Sequence, residues 1–396
     1  MKFNFDEVIE RKGTFSKWDM RAQVLKLGWT TRYDDETIPL FTADMDFRCA
    51  PSIQEEIQKV VDHNIYGYTM IDDFNQKPYT DAVCGWFKRR HGWEFDGSCV
   101  KYVEGTIKGM TNAINAVTKP GDAVIINMPI YGPFPLIPRL IGREVVNSQL
   151  VNNDGYYTMN WEDFEEKAKD PNVKAFLLCN PHNPTGRVWT EEELKKMYDI
   201  CRVNDIVIIA DEIHGDIVRK GVKFHPIAKV CGGEGIITCT GLGKTFNIAG
   251  LHPSNVIITD KELMEKYKKV MGREQPTPFV IAATIGAYNG GDEWVDEVNE
   301  YIDGNIDRVI EFAKEKMPEL KIHRPEGTYI LWMDFKAYGL DPEEVTRKIS
   351  EDANVFLEHG KMFDPVDGPG FERLCTPTRR ALLMEAMERI AKEFNK

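Results

Sequence analysis

Lys244 sits in the run TCTGLGKTFNIAG, Thr238 to Gly250, with Gly241 and Gly243 before it and a mostly apolar stretch after it. A glycine-flanked lysine ahead of threonine can close a nucleotide phosphate loop, whose pattern is glycine, four residues, then Gly-Lys-Ser/Thr. Gly243, Lys244 and Thr245 fit the end of that pattern, but Thr238 stands where its first glycine belongs. Such loops also follow an early strand, and this one lies late in the chain. Two other runs have the same form: KAFLLCNPHNPTG leads from a β-rich apolar stretch to Asn183, and DIVIIADEIH leads to Asp211. In an open parallel sheet, ligands bind at the carboxyl ends of the strands. A lysine, an aspartate and an asparagine converging there match the needs of pyridoxal phosphate (PLP). The amine forms a Schiff base with the aldehyde, and the aspartate keeps the pyridine nitrogen protonated so that the ring becomes an electron sink. The amide can hydrogen-bond the ring's 3-oxygen. Taken singly, each residue has a plainer reading, Asp211 as a helix cap and Asn-Pro-Thr-Gly as a turn.

The surrounding pattern supplies strands to carry these residues. From about residue 100 to 260, β-rich runs alternate with stretches of helical period, which predicts an α/β fold with a mostly parallel sheet. The runs are DAVIINMP, REVVNSQL, KAFLLCNP, DIVIIADE, GIITCTG and SNVIIT. Several are continuously apolar, as strands covered on both faces are. Between two of them, Thr190 and Glu193 form a capping box opening a helix with Leu194, Met197, Tyr198 and Cys201 on one face. Past residue 290 a long helical stripe from Trp294 to Ala313 runs until Pro318 and bridges into a second, smaller α/β lobe. The expected division is a large cofactor-binding domain over residues 44–290 and a small domain from residues 1–43 and 291–396.

Composition narrows the function classes. The 396 residues are 42% hydrophobic, with 63 acidic against 50 basic side chains and a formal net charge of -13. No basic cluster is interleaved with aromatics, so no nucleic-acid partner is expected. No run is long and apolar enough for a signal peptide or a membrane span, so a soluble cytoplasmic protein with no membrane partner is expected. The eight cysteines include no C-x-x-C pair, so neither a disulfide framework nor a zinc site is expected, and the metal expectation is none.

FTADMDF (41–47), YGYT (66–69), NPHNPTGRVW, ADEIHGD, KTFNIAGL, PEGTYILWMDF and GFERL occur in this order across nearly the whole chain. In these motifs the sequence resembles the PLP-dependent aminotransferase superfamily of fold type I, and within it the MalY/PatB-type cystathionine β-lyase (C–S lyase) branch. The resemblance implies a large domain with a mostly parallel seven-stranded sheet sandwiched by helices. It also implies that Lys244 holds the cofactor and serves as the general base, Asp211 pairs the ring nitrogen and Asn183 the 3-oxygen. Tyr131 would stack on the ring, and His214 would lie near Asp211 or the ring. The turn Gly105-Thr106-Ile107 would hold the phosphate at the N-terminus of a helix that carries Ile107, Met110, Ile114 and Val117 on one face. Arg373 would fork onto the α-carboxylate of an amino-acid substrate, Arg379 being a surface charge. Tyr68 would reach across a homodimer interface to the neighbouring phosphate.

Some positions depart from the family. Gly241 and Gly243 stand where small hydroxyl residues are usual, and His252 where many aminotransferases carry a phosphate-binding arginine. A weaker phosphate grip is therefore expected, drawn from backbone and from Thr240 or Thr245. Leu374-Cys375 follows Arg373 where the branch has Leu-Asn, which makes Cys375 a candidate reactive thiol. The implied reaction is α,β-elimination of L-cystathionine or a related cysteine S-conjugate to pyruvate, ammonia and a thiol such as homocysteine. The alternative is amino-acid transamination, which fold analogy alone does not separate from it.

Overall fold

The computed structural model describes residues 1–11, 13–70 and 76–396. Its larger sheet contains β1 (Val100–Glu104), β2 (Ala123–Ile126), β3 (Glu144–Asn147), β4 (Val173–Cys179), β5 (Val207–Asp211), β6 (Ile236–Gly241) and β7 (Pro253–Ile257). They lie in the order β1-β7-β6-β5-β4-β2-β3. Neighbours from β6 to β3 are parallel, whereas β7 runs antiparallel to both β6 and β1. The sheet is therefore mostly parallel with one reversed strand, and all six strand runs found in the sequence belong to it. β1 was not among them.

Both faces of this sheet are covered. Alternate residues of a strand point to opposite sides, so Ile208 and Ala210 of β5 join one hydrophobic cluster while Ile209 joins the other. The second cluster includes Met110, Ala113 and Ile114 of helix α1 (Thr106–Val117). Helix α2 (Glu191–Val203) begins with the expected capping box and buries Leu194, Met197 and Cys201. Helix α3 (Asp292–Lys316) buries the stripe Trp294, Val298, Tyr301, Ile302, Ile306, Val309 and Ala313.

The smaller sheet consists of β8 (Lys321–Ile322), β9 (Ile330–Asp334), β10 (Glu358–His359) and β11 (Phe371–Cys375), in the order β8-β9-β11-β10. All of its pairings are antiparallel. The amino-terminal segment joins this part of the chain: Ile38 and Pro39 pair in parallel with Val355 and Phe356.

Lys17 fastens that segment further in. It is buried, with Nζ 2.7 Å from Asp44 Oδ1 and 3.3 Å from Asp46 Oδ1, and Arg11 lies 3.2 Å from the same Asp46 oxygen. Burial opposes the ammonium, but the two carboxylates outweigh it and hold the Lys17 pKa above its ordinary value. The segment 41–47 is thus clamped from the amino-terminal side at the point where it meets the Lys244 loop.

Candidate active site

Cys179 and Asp211 are the last residues of β4 and β5, and both line a cleft of about 480 Å³. Asn183, Lys244, Tyr131 and Arg373 line it too, so the three strand-end residues do converge. Met20 and Trp29 of the amino-terminal segment form part of the wall. Sequence reasoning missed them because no periodic pattern marks that stretch.

Lys244 Nζ donates to the carbonyl of Ala43 at 2.7 Å, and Tyr329 Oη donates to the same oxygen at 2.7 Å. Asn247 fixes the loop to the 41–47 segment. Its Oδ1 accepts from Met45 N–H at 3.0 Å, and its Nδ2 donates to the carbonyls of Met45 at 3.0 Å and Phe47 at 2.8 Å. The motifs FTADMDF and KTFNIAGL are therefore one structural unit that aims the lysine. Burial, followed by the nearby Arg373 guanidinium, lowers the Lys244 pKa from the usual ammonium value. Such an amine gives up its proton more readily and suits proton transfer.

Asp211 is buried, and Ile213 N–H donates to its Oδ1 at 3.2 Å. Burial pushes its pKa up to about 6, against the opposing pull of that hydrogen bond and of Lys244. A carboxylate held in a dry place with so little compensation is a site waiting for a cation. His214 is buried edge-to-face against Tyr329, with ring centroids 5.7 Å apart. Burial first, then Lys244 and Arg373, push its pKa down to about 3, so the ring is neutral. Its Nδ1 has no hydrogen-bond partner among the described residues.

Asn183 is shared between two neighbours. Its carbonyl accepts from Tyr131 N–H at 3.0 Å, and its Oδ1 accepts from Arg373 Nη1 at 3.1 Å. That leaves the Nδ2 group to donate to a ring oxygen. Arg373 is buried, donates from Nη2 to the Phe41 carbonyl at 3.1 Å, and forms an ion pair with Glu358. Its guanidinium carbon lies 4.8 Å from the Phe363 ring centroid. Glu358 also lines the cleft and was not singled out in the sequence.

At the start of α1, Gly105 has φ 86°, a left-handed conformation that favours glycine. Its N–H donates to the Val103 carbonyl at 2.9 Å and the Gly109 N–H donates to the Gly105 carbonyl at 3.2 Å, so the helix donors left over are those of Thr106, Ile107 and Lys108. Ile107 lines the cleft and is 39% exposed, while Met110 and Ile114 are buried with Gly109 and Ala113. Val117 is half-buried.

The expected hydroxyl donors are elsewhere. Neither Thr240 nor Thr245 lines the cleft; Thr245 Oγ1 donates to Asp216 Oδ2 at 3.1 Å. Ser254 and His252 line it instead. A Cβ on Gly241 would lie 2.6 Å from Ser254 Oγ and 2.8 Å from the Pro253 carbonyl, and one on Gly243 would lie 3.1 Å from Ala249 Cα. Both glycines thus answer to close backbone approach.

Cys375 is buried, with Sγ 2.9 Å from the Phe41 carbonyl, and burial raises its thiol pKa. This corrects the expectation of a reactive thiol, since the nucleophile is the thiolate. Arg379 caps the final helix, away from the cleft. Tyr68 is 99% exposed in the single chain and does not line the cleft.

The residues present fit PLP: a half-buried amine of lowered pKa, a buried carboxylate lacking a full partner, an unpartnered imidazole nitrogen and an open helix N-terminus. The family described as aminotransferase class I and II matches residues 37–390. The chain belongs to this family. Among its members, the chain is 36% identical to cystathionine beta-lyase PatB of Bacillus subtilis over 98% of each chain. A PLP-bound putative aminotransferase from Clostridium difficile superposes with a TM-score of 0.93 at 37% identity, covering 99% of this chain and 100% of that one. Cystalysin from Treponema denticola, whose structure contains PLP, superposes with a TM-score of 0.94 at 33% identity, covering 100% and 99%. The seven-stranded sheet and the smaller sheet domain are those of fold type I. Among the described residues no cluster of three His, Cys, Asp or Glu could hold a metal ion, and no helix is long and apolar enough to cross a membrane.

Proposed function

We propose that the chain is a PLP-dependent C–S β-lyase that cleaves L-cystathionine or a related cysteine S-conjugate. The observation that carries this reading is Lys244, a half-buried amine of lowered pKa held 2.7 Å from the Ala43 carbonyl in the wall of a cleft that Asp211 and Arg373 also line. When bound, PLP supplies an electron sink for the bonds at the substrate's Cα.

The chain's own groups do the rest. Arg373 holds the α-carboxylate, which fixes the amino acid's orientation. Lys244 Nζ takes the proton from Cα. The electron pair left there forms a Cα–Cβ double bond as the Cβ–S bond breaks, and sulfur leaves as thiolate and is protonated to the thiol. Water then converts the three-carbon remainder to pyruvate and ammonia. With PLP bound, Asp211 would keep a negative charge beside the ring nitrogen, Asn183 Nδ2 would donate to the ring oxygen, and Tyr131 would cover one face. Thr106 and Ile107 would offer N–H groups to the phosphate, and His252 and Ser254 line the same cleft. Met20 and Trp29 form part of the wall against which the substrate would lie. Tyr68, fully exposed here, would complete the neighbouring site in a homodimer.

Similarity to cystathionine beta-lyase PatB and to cystalysin supports the lyase, and similarity to a putative aminotransferase supports amino-acid transamination as the second reading. Product analysis with L-cystathionine, without an added keto acid, separates them. Pyruvate, ammonia and homocysteine forming over many turnovers are expected. A single turnover that leaves the cofactor as its amine, with no pyruvate, would establish the aminotransferase.

A further inference from the structure

Arg373 does not wait empty-handed. Its Nη1 donates to Asn183 Oδ1, its Nη2 donates to the Phe41 carbonyl, and Glu358 holds Nη2 in an ion pair. Only Nε is buried without a partner among the described residues. A guanidinium has five N–H donors in a fixed fork, so an arriving carboxylate can use Nε but must contest Nη2 with Glu358.

The fold builds this competition. β10 and β11 are antiparallel, and Glu358 is the register partner of Arg373, as His359 is of Glu372. Directly opposed residues keep their Cβ atoms about 4.5–5.5 Å apart, so the Glu358 backbone stays beside Arg373 while the sheet is intact, and its carboxylate leaves the guanidinium only by rotation of the side chain. The Glu358 side chain is 20% exposed and faces the cleft, whereas that of Arg373 is 2% exposed.

We infer that Glu358 is a resident counter-ion that the substrate's α-carboxylate displaces from Arg373, and that the displaced carboxylate then selects substrates carrying a second, cationic group on the side chain. Two carboxylates cannot share one buried guanidinium without mutual repulsion. A displaced Glu358 remains in the cleft as an anion that has lost its partner, which is unfavourable unless a cation meets it. An amino acid whose sulfur bears another ammonium-carrying arm supplies that cation; a short alkyl thioether does not. The site thus neutralises itself when empty and discriminates by charge when filled.

The inference rests on Arg373 being the α-carboxylate site of the proposed enzyme, but not on the reaction that follows. Two amino acids lacking a Cα hydrogen serve as probes, α-methylalanine and α-methylornithine, because they bind without turnover. Their dissociation constants are read from the cofactor absorbance of the PLP-loaded protein, in the wild type and in Glu358→Gln. The wild type is expected to prefer α-methylornithine. Glu358→Gln is expected to bind α-methylalanine roughly ten- to a hundredfold more tightly, the equilibrium factor for one charge-assisted hydrogen bond, and to lose the preference. Glu358→Asp, which keeps the charge but withdraws it by one methylene, is expected to fall between the two. Unchanged α-methylalanine binding in both variants, or an unchanged preference, would overturn the inference. A failure of the lyase reading would show instead as missing pyruvate, with these constants still measurable.

Discussion

Replacing Asp211 by asparagine should stabilise the cofactor-free protein and weaken its hold on PLP, two effects of opposite sign from one atom exchange. Burial raises the Asp211 pKa from the ordinary carboxylate value of 3.8 to about 6. A shift of this size corresponds to about 3 kcal/mol between the protonation states. A group whose folded pKa is raised contributes stability that is present below the unfolded value and lost as pH rises through the folded one. Wild-type cofactor-free protein should therefore lose up to that amount more than Asp211→Asn between about pH 4 and pH 7, the loss from the neighbouring Glu212, whose pKa burial pushes up to about 8, occurring in both. Asparagine keeps the shape and can still accept from Ile213 N–H through Oδ1. At pH 8 the variant should be the more stable by up to about 3 kcal/mol, and at pH 4 the two should converge. With PLP the balance reverses, because breaking a buried charge pair costs about 3–5 kcal/mol. The expected loss is roughly two to three and a half decades in Kd. Denaturant unfolding of the stripped protein at the two pH values, and absorbance titration with PLP at pH 8, measure both. If the stripped variant is less stable than wild type at pH 8, or binds PLP equally well, Asp211 is a packing residue and the reasoning is wrong.

Three further outcomes follow from the same geometry. Lys17→Met should destabilise the loaded protein by about 3–5 kcal/mol, because Asp44 loses its ion-pair partner and Asp46 keeps Arg11 as its one cation, with the Trp18 indole N–H; denaturant melts would show it, and a change under about 1 kcal/mol would mean the clamp is dispensable. Gly241→Ser, which adds the hydroxyl usual in the family, should lower stability by about 1–3 kcal/mol through overpacking and should not tighten PLP binding; a tighter Kd in absorbance titration would show that the Pro253–Ser254 backbone yields. Cys375 should resist iodoacetamide in the native protein at pH 8 and react once denatured, as peptide mass mapping would report; preferential native labelling there would show a thiolate that the burial argument does not allow.

Much of the large sheet was legible because strands covered on both faces read as unbroken apolar runs. β1 was not, since VKYVE carries charged residues at two of its positions and lies at the sheet edge. The reversal of β7 was hidden because an apolar run has no direction. Lys244, Asp211 and Asn183 were legible as strand ends, and the structure brings them into one cleft. Glu358 was not, because its importance lies in a register: only once β10 is laid against β11 does it stand opposite Arg373. The glycines at 241 and 243 were read as lost hydroxyls; their neighbours Pro253, Ser254 and Ala249 come from later in the chain and could not be placed beforehand. The amino-terminal wall escaped for a related reason, being fixed by single side chains such as Lys17 and not by a repeating pattern.

The most direct measurement is to load the protein with PLP, reduce it with borohydride, digest it and locate the pyridoxyl group by mass spectrometry. The modification is expected on the peptide containing Lys244 and on no other, and to be absent in Lys244→Ala. A pyridoxyl group on a different lysine, or stoichiometric PLP binding with no reducible link, would contradict the placement of the chemistry at Lys244.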